Sequence, residues 1–207
     1  MSTERLREAL NNHAPDFGIE LRPEHVSALV SYYELLLKWN SKLHLVAPCA
    51  PEEFATRHLL ESLLLISHLP RNARIADVGS GGGLPIVPCL IVRNDLRAIA
   101  IESSQRKAVF LREAVRAVNT GEPAQVLAVR FEEIEAPKAD FVSCRALDKF
   151  ETMLPALVDW APNGSGLLLF AGANLRKQIE ELIPSAGVYP IPRSDRRFLI
   201  VARASCT

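Results

Sequence analysis

Asp77-Val78-Gly79-Ser80-Gly81-Gly82-Gly83-Leu84 is the stretch that decides the fold. The residues leading into it, ARIADV (73–78), have the short apolar character of a buried strand, and a helix-like apolar run follows to about Val92. A glycine cluster between a strand and a helix is the frame of a nucleotide-binding loop, because glycine permits the tight turn and the close approach of a ligand to the backbone. Two cofactor classes use such a loop. A dinucleotide fingerprint beginning at Gly79 requires glycine at position 84, where this chain has Leu84. The pattern D-x-G-x-G-x-G is instead matched at each fixed position, by Asp77, Gly79, Gly81 and Gly83.

The rest of the chain alternates in the same manner. RAIAIE (97–102), AQVLAV (124–129), ADFVSC (139–144) and GLLLFA (166–171) read as strands, and Arg106 to Val118 and Lys149 to Trp160 read as helices. The tail from Gly187 to Ala204 reads as a last antiparallel pair, with FLIVA (198–202) the better strand. This alternation predicts an α/β fold, a doubly wound, mainly parallel sheet. Residues 1–70 form an N-terminal helical extension and 71–207 the nucleotide-binding domain. Val26, Leu29, Val30, Tyr33, Leu36 and Leu37 keep helical spacing after Pro23, and a second apolar-periodic run covers about Glu52 to His68. Glu102 ends the second strand, where an acid can accept hydrogen bonds from both hydroxyls of a ribose.

Composition narrows the classes. The chain has 207 residues, 48% hydrophobic and 23% charged, with 24 basic and 24 acidic side chains. Zero net charge argues against a nonspecific nucleic-acid coat. Charge is nevertheless uneven: residues 71–130 carry net +4 and 185–207 net +3, a candidate RNA-docking surface. The longest apolar run, Leu84 to Val92, is broken by two prolines and is too short to cross a membrane. Cys49, Cys89, Cys144 and Cys206 lack zinc-ligand spacing, which predicts no metal and fits a reducing, cytoplasmic setting.

The glycine pattern resembles motif I of the methyltransferases that use S-adenosyl-L-methionine (AdoMet), and the chain as a whole resembles the RsmG (GidB) family. The resemblance runs from about Leu37 to Gly172. It includes Leu37-Lys38-Trp39-Asn40, Arg57-His58-Leu59-Leu60-Glu61-Ser62, the loop with Pro85 and Pro88, Glu102-Ser103, Arg106-Lys107, Phe110-Leu111, Arg130-Phe131-Glu132-Glu133 and Ser143-Cys144-Arg145-Ala146. It implies a class I AdoMet-dependent methyltransferase (Rossmann-like) fold. The implied activity is methylation of guanine N7 in bacterial 16S ribosomal RNA, with that RNA or the small ribosomal subunit as partner. The family's AdoMet contacts fall on Gly79, Leu84, Phe131, Glu132 and Arg145, with Phe131 and Glu132 flanking the adenine.

From the residues alone, Phe131 also reads as core and Glu132 as one of three solvated acids with Glu133 and Glu135. His58 reads as a hydrogen-bonded structural histidine, and Trp39 and Trp160 as core. Arg145 is the catalytic candidate, since it follows the fourth strand, and an ion pair with Asp148 is its bland alternative. The chain departs from the family pattern at His44-Leu45-Val46 (Asn-Leu-Thr in the family), Glu61 (Asp), Ile86 (Gly) and Ala171 (Lys). Two alternatives stay open at this level: an AdoMet methyltransferase with another substrate, and a non-catalytic AdoMet-binding relative.

Overall fold

A computed structural model describes residues 2–118, 124–145, 147 and 149–204. The readings that fall on Ala146, Asp148 and Cys206 lie outside the described residues. Two helices open the chain, α1 (Ser2–His13) and α2 (Pro23–Leu43), the second started by Pro23 in its first turn. A third helical segment, α3, covers residues 51–68. It begins as α-helix at Pro51–Glu53, widens to a π-helix over Phe54–Leu60, returns to α at Glu61–Leu63 and tightens to 3-10 geometry over Leu64–His68. Seven residues of π-helix are unusual, and such windings cluster at functional sites.

The strands are β1 (Arg74–Val78), β2 (Arg97–Ile101), β3 (Gln125–Leu127), β4 (Phe141–Cys144), β5 (Gly166–Gly172), β6 (Gly187–Pro190) and β7 (Arg197–Arg203). Between them lie α4 (Ile86–Val92), α5 (Gln105–Ala117), α6 (Phe150–Trp160) and α7 (Ala173–Leu182). The sheet order is β3-β2-β1-β4-β5-β7-β6. The first five strands are parallel, and β7 is antiparallel to both β5 and β6. The expected class is therefore the observed one. β3 and β4 are shorter than the apolar runs suggest. The expected helix after the glycines begins only at Ile86, because the chain is still turning from Gly79 to Pro85. The sequence reading passed over α7, whose apolar signal is slight: only Leu175 and Ile179 are buried.

Alternation along the strands divides the core into two layers. Ile75, Ala98, Ala100, Leu168 and Phe170 face a layer built by α1 to α5, whereas Ala76, Val78, Ile101, Leu167 and Leu169 face α6 and α7. The N-terminal segment is continuous with the first layer: Leu29, Leu36, Phe54 and Leu59 belong to the same buried cluster as Ile75 and Phe110. Strand order reverses between β1, whose crossover leads to β2, and its other neighbour β4. In open α/β sheets, ligands bind at this switch point, outside the carboxyl ends of the strands.

Candidate AdoMet site at the carboxyl edge of the sheet

A cleft of about 660 Å³ opens at that switch point, within the usual range for small-molecule sites. Its floor is the turn after β1. Gly79 and Ser80 both donate to the carbonyl of Ile101, at 2.9 and 3.1 Å, so the turn is stitched to the end of β2. Gly79, Gly81 and Gly83 all have positive φ. Gly83 is the most constrained: φ is +83°, and a Cβ there would lie 2.6 Å from Val87 Cγ2. Helix α2 supports the turn from behind. The Tyr32 hydroxyl donates to the Gly82 carbonyl, and Leu36 and Leu45 pack where a Gly82 side chain would stand.

Glu102 closes one wall. Its Oε2 accepts from Gly81 N–H and its Oε1 from Ser104 N–H, both at 2.8 Å. The carboxylate is buried and held by two backbone donors. Each of its oxygens still has a lone pair, so a pair of ribose hydroxyls fits the donor set. Phe131 and Glu132 stand in the short 3-10 turn after β3 and both line the cleft. Phe131 serves core and cleft together: it is buried, its ring meets Trp160 edge-on at 5.5 Å, and Trp160 Nε1 donates to the Ile134 carbonyl at 2.8 Å. Glu132 is exposed. Trp39 meets Phe110 edge-on at 6.1 Å, inside the packing of α2 on α5.

Asp77 lies beneath the loop and is not among the lining residues, and neither is Gly83. Ser143, directly opposite on β4, donates to Asp77 Oδ1 at 2.6 Å, and Oδ2 has no partner among the described residues. Burial pushes the Asp77 carboxyl up to about 6, against the pull of the Ser143 hydrogen bond and of Arg145. Leu84, nearly buried, lines the cleft beside Gly82.

The opposite wall brings together residues far apart in the chain. Arg145, just past β4, lines the cleft, yet its guanidinium turns into α3. Nη1 donates to the His58 carbonyl at 3.1 Å and to Ser62 Oγ at 3.0 Å; Nη2 donates to the Arg57 carbonyl and to Glu61 Oε2 at 2.9 Å. The guanidinium also stands 5.4 Å above the Phe170 ring. Two carbonyls of the π-wound stretch, those of Arg57 and His58, accept from this single guanidinium. Glu61 is buried between Arg145 and Arg197, whose Nη1 is 2.9 Å from Oε1. Burial, the largest influence, raises the Glu61 pKa, and Arg145, Arg197 and Arg57 pull against it.

His58 also borders the cleft. Its pKa is lowered to about 3 by burial and by Arg145, Arg57 and Arg197, so the ring is neutral. In the sequence His58 reads as structural rather than catalytic; of the arginines that join burial in holding it neutral, Arg57 is adjacent but Arg145 and Arg197 are 87 and 139 positions away.

The departures from the family pattern have definite places. Leu45 and Val46 line the mouth of the cleft, and Asn40 pins Val46 through both its N–H and its carbonyl at 3.0 Å. Ile86 is fully buried at the start of α4, and Ala171 is buried in β5. The charge surplus is partly neutralised in place. Arg74 pairs with Asp140, Arg93 with Asp95 and Arg193 with Asp16. Among the described residues no helix is long and apolar enough to cross a membrane, and no three His, Cys, Asp or Glu side chains gather as metal ligands.

Solved structures share this architecture. A SAM-dependent methyltransferase from Aquifex aeolicus superposes with a TM-score of 0.58 at 17% identity, covering 73% of this chain and 93% of that one. The tRNA (m1A58) methyltransferase TrmI from the same organism gives 0.55 at 15% identity, covering 71% and 68%. At the level of sequence, a protein named ribosomal RNA small subunit methyltransferase G from Azoarcus sp. is 31% identical over 194 residues, 90% of this chain and 91% of its own length. The protein of the same name from Rhodospirillum centenum is 40% identical over 155 residues, 74% and 69% of the two chains. The family model GidB, rRNA small subunit methyltransferase G, matches residues 25–187, a span that contains the glycine turn, Glu102, α3 and Arg145. The chain belongs to the GidB family.

Proposed function

We propose that the protein transfers a methyl group from AdoMet to N7 of a guanine in 16S ribosomal RNA. The observation that carries the reading is the cleft at the β1/β4 switch point, with the glycine turn as floor and the Glu102 carboxylate held beside it by two backbone N–H groups, in a chain of this family. With ribosomal RNA as substrate, the enzyme works in the cytoplasm.

The residues fit AdoMet in one direction. Glu102 would take the ribose hydroxyls, Phe131 and Glu132 would flank the adenine, and the backbone of Gly79 to Gly82 would hold the methionine portion. So held, the reactive end would face the end of β4, where Arg145 and His58 line the cleft. When bound, AdoMet supplies an electrophilic methyl group on a sulfonium. Guanine N7 carries a free lone pair and loses no proton, so no side chain has to act as a base. The chain's contribution is orientation, worth roughly 7–11 kcal/mol when reacting atoms are held in line. We infer that Arg145 is a positioning residue: with both Nη groups engaged by α3, it fixes the wall against which the base rests. Glu61 offsets its charge, so the cationic character growing on the guanine does not meet an unbalanced cation.

Incubation with methyl-labelled AdoMet and small-subunit RNA from cells lacking the protein tests the proposal. Label in that RNA is the expected result. Label only in a small molecule or a protein favours a different substrate, and AdoMet binding without transfer favours a non-catalytic relative.

A further inference from the structure

Building on the proposed function, we infer that His58 is a specificity-determining residue, a neutral imidazole whose Nε2–H donates to O6 of the target guanine. Three observations converge on it. The ring lines the cleft beside Arg145, at the β4 end where the proposed binding mode would put the reactive end of AdoMet. It is held there by Phe54, whose ring centroid is 4.9 Å away, and by its place in the π-helical stretch whose carbonyls grip Arg145. Finally, Arg145 Nη2 lies 3.5 Å from Nδ1. Both Nη2 hydrogens are directed to the Arg57 carbonyl and Glu61, and the positive guanidinium favours a lone pair on the ring nitrogen nearest it. The ring proton is then on Nε2, and among the described residues no hydrogen bond engages Nε2.

The charged groups around the ring are Arg57 on its own helix, Arg145 beyond β4, Arg197 on β7, and Glu61 between the last two. Burial of the ring, together with these three cations, keeps the imidazole neutral. Neutrality matters for this reaction. The Hoogsteen edge of guanine presents N7 and O6 as acceptors, whereas adenine presents an N6–H₂ donor where guanine has O6. N7 must stay free to attack the methyl group, so O6 is the atom left for recognition. A neutral N–H there accepts guanine and rejects adenine. It does so without placing a positive charge beside the N7 that becomes cationic. An imidazolium would give the same hydrogen bond but oppose the charge that develops.

His58→Phe keeps a ring against Phe54 and removes the donor; His58→Gln loses the ring and keeps an N–H donor. Both variants and the wild type are compared by calorimetric AdoMet titration, thermal melts and single-turnover methylation of small-subunit RNA from cells lacking the protein. The expected result is unchanged AdoMet affinity in all three, a methylation rate lower by about ten-fold or more in His58→Phe, and recovery of most of it in His58→Gln. A folded His58→Phe protein at the wild-type rate overturns the assignment, and so does equal impairment of the two variants, which marks a packing role. A wild-type protein that binds AdoMet but leaves the RNA unmethylated overturns the proposed function, and this assignment with it.

Discussion

Gly81 N–H donates to Glu102 Oε2 at 2.8 Å, so the acid that ends β2 and the glycine turn that follows β1 form one unit. Ser104 N–H on the other oxygen completes it. Glu102 therefore shapes the loop, and the proposed ribose contact falls on the same carboxylate. Glu102→Gln sets an amide N–H₂ against one of these backbone donors. Calorimetry is expected to show AdoMet affinity reduced by about 1.5–3 kcal/mol, the range for hydrogen bonds to a charged group. Affinity equal to the wild type would separate Glu102 from the cofactor.

The floor of the cleft depends on a residue fifty positions upstream. Tyr32→Phe leaves the buried Gly82 carbonyl without its donor, at a cost of about 1–3 kcal/mol in stability. Gly83→Ala meets Val87 Cγ2 at 2.6 Å with φ at +83°, and a further cost of about 1–3 kcal/mol is expected. Urea titrations of the two single variants check both values.

Asp77 gives a pH signature. Its folded pKa, about 6, lies above the unfolded 3.8, so its contribution to stability is fully present below about pH 3.8 and lost as pH rises through about 6. Asp77→Asn keeps the acceptor for Ser143 and does not titrate. Relative to the wild type, the variant is expected to gain on the order of 2–3 kcal/mol between pH 4 and pH 7. The lowered pKa of His58 acts in the opposite sense, since its contribution is lost as pH falls below about 6.5, but it is common to both proteins and cancels in the difference. Denaturant melts at the two pH values supply the test; a constant difference would mean that Asp77 is not pushed up by burial.

Arg145→Ala strips a partner from Glu61 and takes the guanidinium donors from the carbonyls of Arg57 and His58, of which the second keeps the Ser62 hydroxyl. The expected cost is about 3–5 kcal/mol in stability, as for other broken buried pairs, together with a large loss of methyl transfer. Arg145→Lys keeps the charge but cannot reach acceptors on two Nη groups, so intermediate values are expected. A melt and a single-turnover assay on each variant decide this. Near-normal transfer by a folded Arg145→Ala protein would remove Arg145 from the site.

What could be read in the chain was local. The glycine turn is visible because positive φ and close approach demand particular residues at fixed spacing, and Glu102 because it ends the very next strand. The sheet class follows from apolar runs whose period is set by the strand. The second wall was not legible. Tyr32 to Gly82, Arg145 to α3 and Arg197 to Glu61 are contacts across 50 or more positions, and side-chain chemistry alone does not announce them. The π winding of Phe54–Leu60 has the same apolar spacing signal as an ordinary helix, so only the folded backbone reveals it, and with it the two carbonyls that accept from one guanidinium.

The most direct measurement is nucleotide-resolution mapping of N7-methylguanine in 16S RNA from cells with and without this protein, with a Glu102→Ala strain as control. The account predicts one N7-methylguanine present with the wild-type protein, absent without it and strongly reduced in the control. An identical pattern of N7-methylguanine in all three strains would contradict it.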